Sequence, residues 1–141
     1  LIMVNLPLEE AADLRQTLSA EGMDLVSLIA PTTADRRARE IATTGSGFLY
    51  YVSLKGTTGS GALAVDEVAE RMSFLQTLTN VPICVGFGIK DAKSAAAVSA
   101  HADGVVVGSA LVQLMADSPD PATASQRLQT AIADIRNGLD G

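Results

Sequence analysis

The residues of this chain best placed to do chemistry are glycines. The stretch GFGI at 86–89 closes one short apolar run, GSA at 108–110 closes the next, and each passes straight into helix-like sequence. Without a side chain, glycine lets an anion approach the main chain, and a helix opening at Ser109 offers unpaired N–H groups at the positive end of its dipole. Phosphate is the anion that fits, held by Gly88, Gly108 and Ser109. A tight strand-to-helix turn explains one such glycine on its own. Two in adjacent units, with a short helix and then a longer one, favour the anion site over bare turns.

The segment SLKGTTGSGA at 53–62 interrupts the regular spacing with polar, glycine-rich sequence lacking any period. A loop of this kind swings over a bound phosphate ester and excludes water, or it is a surface linker; composition alone favours neither. The segment brings Gly56, Thr57, Thr58, Gly59, Ser60 and Gly61, with Lys55 before them. Tyr50 precedes it, its hydroxyl directed either into the strand-end cavity or outward, since neighbours on a strand alternate faces.

Other chemistries lack their residues. The strand ends carry no acidic cluster, which excludes a receiver-type divalent-cation site. The single histidine, His101, has no second histidine to share a metal with. The single cysteine, Cys84, has no disulfide partner and lies between Ile83 and Val85, so it reads as an inert core thiol. A net charge of −6, with ten scattered basic residues, argues against a nucleic-acid surface. No apolar run approaches the roughly 20 residues that span a bilayer. A cytoplasmic location is expected.

The elements that must position these glycines are short continuous apolar runs at 2–6, 25–29, 48–53, 81–85 and 104–107, the pattern of parallel strands covered on both faces. Amphipathic helical patterns follow at 8–21, 34–43, 65–78, 91–100, 109–115 and 121–137. The order βαβαβαβαβα within 141 residues predicts a single α/β domain over 1–141. It fits either an open doubly wound sheet or part of an eight-unit barrel, since a whole barrel takes about 250 residues. Leu1 opens inside an apolar run with no polar lead-in, which reads as a segment of something longer.

Together these residues resemble the tryptophan synthase alpha subunit. The matching stretches are NLPLEE at 5–10, APTTADRRAREIA at 30–42, SGFLYYVSLKGTTG at 46–59, VPICVGFGI at 81–89 and ADGVVVGSALV at 102–112. The tyrosine segment followed by G-T-T-G is the specific part. The resemblance implies a partial (β/α)8 TIM barrel of about five βα units, corresponding to strands four to eight. It implies a carbon–carbon lyase of tryptophan biosynthesis that cleaves indole-3-glycerol phosphate to indole and glyceraldehyde 3-phosphate. The family's phosphate site falls on Gly59, Gly88, Gly108 and Ser109, its lid threonine on Thr58 and its active-site tyrosine on Tyr50. Its catalytic Glu and Asp belong to the second βα unit, so neither is expected in this chain, and the segment alone is expected to be inactive. The family usually carries Asp where Asn5 stands.

The loop around Pro7 would face the beta subunit in a heterotetramer. Pyridoxal phosphate belongs to that subunit, and no cofactor is implied here. Removing three units from a barrel would leave an open apolar edge, so self-association is expected. The other reading open to the residues is a non-catalytic five-stranded module binding a phosphorylated metabolite.

Overall fold

Four of the five apolar runs form strands, and they lie side by side in chain order. The computed structural model describes residues 1–52, 65–86 and 88–140. Its strands are β1 (Ser27–Ile29), β2 (Leu49–Val52), β3 (Ile83–Gly86) and β4 (Gly104–Val106). They pair in parallel in the order β1-β2-β3-β4. The helices are α1 (Ala12–Ala20), α2 (Asp35–Thr44), α3 (Val65–Gln76), α4 (Ala92–Ser99), α5 (Ser109–Ala116) and α6 (Pro121–Asp140).

Strict alternation decides which strand residues meet the helices. Ile29, Leu49, Tyr51, Ile83 and Val85 form one buried cluster with Ala38 and Ala42 of α2, Met72 and Leu75 of α3, Ala95 and Val98 of α4 and Ile135 of α6. Each fully buried aliphatic side chain among them contributes roughly 1.5–3 kcal/mol. On α2 the four-residue spacing of Ala38 and Ala42 puts one small, flat stripe against the sheet and leaves Arg36 exposed. α4 starts on a reciprocal cap: Asp91 accepts from the Ser94 N–H at 2.8 Å, and the Ser94 hydroxyl accepts from the Asp91 N–H at 3.1 Å. α6 lies close on α4 because Gly138 has no Cβ; one added there would stand 2.5 Å from the Ala92 carbonyl oxygen.

Sequential parallel strands whose helices share one face describe a segment of barrel wall. A doubly wound sheet reverses its strand order and carries helices on both faces, so the choice left open by the sequence falls to the barrel.

The first expected strand, 2–6, is a correction. It makes a single parallel bridge, Ile2 to Val26, and Asn5 turns the chain out of extended geometry with a φ of 65°. The helix expected over 8–21 is likewise divided, into a 3-10 turn at Leu8–Glu10 and α1. A salt bridge ties this first segment to the next unit, the Arg37 guanidinium donating to both oxygens of Glu9 at 2.5 and 2.7 Å. Those hydrogen bonds pull the Glu9 carboxyl down to about 2.

Candidate functional site

The register of the sheet places the second face. Leu28, Tyr50, Cys84 and Gly104 align across the four strands, with Val52, Gly86 and Val106 forming the next row toward the strand ends. Their neighbours in sequence point to the helices, so these residues point the other way. None except Gly86 is buried. The runs are apolar enough for cover on both sides, yet the helices supply it on one.

Tyr50 therefore points to the inner face, which resolves the ambiguity left by its sequence. Its ring lies over Gly86: a Cβ on that glycine would stand 2.4 Å from Cε2 and 2.5 Å from the hydroxyl oxygen. Gly86 is the buried last residue of β3 and not a turn residue. Its lack of a side chain makes room for the tyrosine. Sequence reasoning grouped it with the turn glycines because only the pairing of Val52 with Gly86 brings the ring across it. Cys84 is also repositioned, half-buried on this inner face and not in the core. Burial, and secondarily the Asp103 carboxylate, pushes its thiol pKa up, away from thiolate reactivity.

The two glycine turns leave the same end of the sheet. Gly86 pairs with Val106, and Gly88 and Gly108 each lie two residues beyond that pair on adjacent strands. They differ in what the backbone demands. Gly88 has a φ of 78°, a left-handed conformation that favours glycine by itself. Gly108 has a φ of −120°, and a Cβ there would meet nothing within 4 Å. Its surroundings among the described residues leave room for a side chain. Ser109, beside it, is the first residue of α5 and is exposed. Gly59 and Thr58, with the rest of the expected lid from Lys55, lie outside the described residues.

Charged groups cluster elsewhere. A hollow of about 370 Å³ between α2 and α3 is lined by Asp35, Tyr51, Glu67, Glu70, Arg71 and Phe74. It opens on the helix side of the wall, where Arg71 donates to Asp35 at 2.6 Å and to the Thr33 carbonyl at 2.7 Å while stacking on Phe74. These contacts fasten α3 to the segment after β1. The strand residues of the inner face, in contrast, include no carboxylate, and no group of three or more metal-ligating side chains occurs among the described residues.

Comparison with known proteins gives this wall its context. The family model described as "Tryptophan synthase alpha chain" matches residues 1–139. This chain belongs to the tryptophan synthase alpha chain family. The alpha chain of Thioalkalivibrio sulfidiphilus is 47% identical over 141 residues, covering 99% of this chain and 53% of that protein. That of Psychrobacter arcticus is 43% identical, with 99% and 52% covered. Among solved structures, the tryptophan synthase alpha subunit of Legionella pneumophila superposes with a TM-score of 0.82 at 32% identity, covering 99% of this chain and 51% of that one. The chain thus spans about half the length of the relatives it matches. Tryptophan synthase alpha chains are TIM barrels, and the four parallel strands with their one-sided helices are part of that wall. No helix among the described residues is long and apolar enough to cross a membrane.

Proposed function

We propose that this chain is the phosphate-holding portion of a tryptophan synthase alpha subunit, a lyase of tryptophan biosynthesis that cleaves indole-3-glycerol phosphate to indole and glyceraldehyde 3-phosphate. The observation that carries the reading is Gly108. The space around it among the described residues would admit a side chain, whereas an anion resting on the start of α5 needs bare backbone there. Gly88 on the adjacent strand end and Ser109 complete the grip, and the family resemblance adds Gly59 to it. Thr58 belongs to the lid that closes over the ester, and Tyr50 supports the reacting end from the inner face.

Retro-aldol cleavage needs a base for the glycerol hydroxyl, an acid for the indole ring and an acceptor for the indole N–H, in a cavity closed to water. The inner face supplies a phenol and apolar side chains for this work. Acidic residues such as Glu9, Glu10, Asp66, Glu67, Glu70 and Asp91 belong to helices or their starts. The segment therefore binds the phosphate end and does not cleave the carbon–carbon bond alone. A tryptophan synthase beta subunit is the partner in the cytoplasm, met near Pro7. In the absence of other cover, the open wall associates with a second copy.

Titrating glycerol 3-phosphate into the chain by calorimetry tests this. Saturable binding that disappears in Gly108→Asp is expected, because the new carboxylate stands where the anion must sit. Equal affinity in the two proteins would overturn the assignment.

A further inference from the structure

The hollow between α2 and α3 lies over β2, a strand paired on both sides, so it belongs to the interior of the wall and not to its margins. Its volume of about 370 Å³ falls within the roughly 300–1,000 Å³ of small-ligand pockets. Tyr51 is what separates it from a mere gap between helices. The ring belongs to the buried core cluster and the residue is only 4% exposed, so it is the phenol end that reaches the hollow it lines. Among the described residues that hydroxyl has no hydrogen-bond partner, whereas a buried tyrosine usually finds one. Burial pushes its pKa up, which keeps the phenol neutral with both its proton and its lone pairs on offer.

The rest of the lining sets the charge of a ligand. Asp35, Glu67 and Glu70 stand against one cation, Arg71, and that guanidinium is already engaged by Asp35, the Thr33 carbonyl and the Phe74 ring. The excess is negative, so it repels anions and draws in a cation. Glu70 is exposed, and its carboxylate has no ion-pair partner among the described residues. No group of three or more metal-ligating side chains occurs among those residues, so the chemistry of the lining suits an organic cation. We propose that the hollow binds a small primary amine, whose ammonium donates to the Tyr51 oxygen and the Glu70 carboxylate while a short alkyl chain lies against Pro31 and Phe74. The site is on the helix side of the sheet and does not depend on the phosphate reading.

The test titrates n-butylammonium chloride into the 141-residue chain at neutral pH and follows the amide signals of Tyr51, Glu70 and Arg71 by NMR. Saturable shifts are expected, with none from n-butanol, which lacks the charge, or from butyrate, which reverses it. Glu70→Gln, at an exposed position, should weaken binding at least ~10-fold, because a hydrogen bond to a charged group is lost. Tyr51→Phe removes the hydroxyl alone and should weaken binding about 3–10-fold. Its urea midpoint should equal or exceed that of the parent, since no internal hydrogen bond is broken. The absence of saturable shifts, an equal response to n-butanol or butyrate, unchanged affinity in either variant, or a lowered midpoint in Tyr51→Phe would overturn the proposal.

Discussion

Gly86→Ala is the most informative single change in this chain, because two opposed effects can be weighed. Alanine restricts the unfolded backbone more than glycine does, which inside a strand favours it by roughly 0.5–1 kcal/mol. Against this, the new methyl would stand 2.4–2.8 Å from three atoms of the Tyr50 side chain. Ordinary carbon contacts lie at about 3.5–4.0 Å, so the ring must retreat by roughly 1 Å. It is the far end of a half-buried side chain and can tilt, at an off-rotamer cost of about 0.5–1.5 kcal/mol within an overpacking penalty of 1–3. The clash wins, and the variant should lose about 1 kcal/mol in urea unfolding. The decisive assay is the double-mutant cycle with Tyr50→Ala. Without the ring, Gly86→Ala should become neutral or stabilising, a coupling of about 1–2 kcal/mol. Equal losses in both backgrounds would refute the placement of Tyr50 over Gly86, and with it the assignment of the inner face.

Further outcomes follow from other contacts. Gly138→Ala gains about 1 kcal/mol of helix propensity, but its Cβ meets the Ala92 backbone, which cannot swing aside; a net loss of stability is expected in urea melts. Leu75→Ala, at a fully buried position, should cost about 2–5 kcal/mol by the same measurement. The Glu9 carboxyl is lowered in the folded chain from 4.5 to about 2, so its contribution is complete above 4.5 and is lost as pH falls toward 2. Glu9→Gln should therefore narrow its stability gap from the parent as urea midpoints are taken from pH 6 to pH 3; a constant gap would deny the Arg37 contact.

Strands β1 to β4 were legible because continuous apolar runs of this length have few alternatives once helical patterns separate them. The 2–6 run satisfied the same pattern and still failed to become a strand. A strand is made by its neighbours, and this segment has one on a single side, while Pro7 and the left-handed Asn5 end its extended course. The single turn at Leu8–Glu10 was invisible because apolar spacing does not separate a 3-10 turn from an α-helix. In the candidate site, Gly88, Gly108 and Ser109 could be named from composition and order. What distinguishes them could not, since a positive φ at Gly88 and open space at Gly108 are properties of the folded backbone. The contact of Tyr50 with Gly86 depends on register across two strands, and no local spacing encodes it.

The proposed function requires the main chain at the starts of two adjacent helical connections to grip a phosphate ester. Amide chemical shifts followed by NMR during titration with glycerol 3-phosphate test it most directly. Saturable shifts at the N–H groups of Gly88, Gly108 and Ser109, absent when glycerol replaces the ester, are predicted. Shifts confined to other amides, or the same response to glycerol, would contradict it.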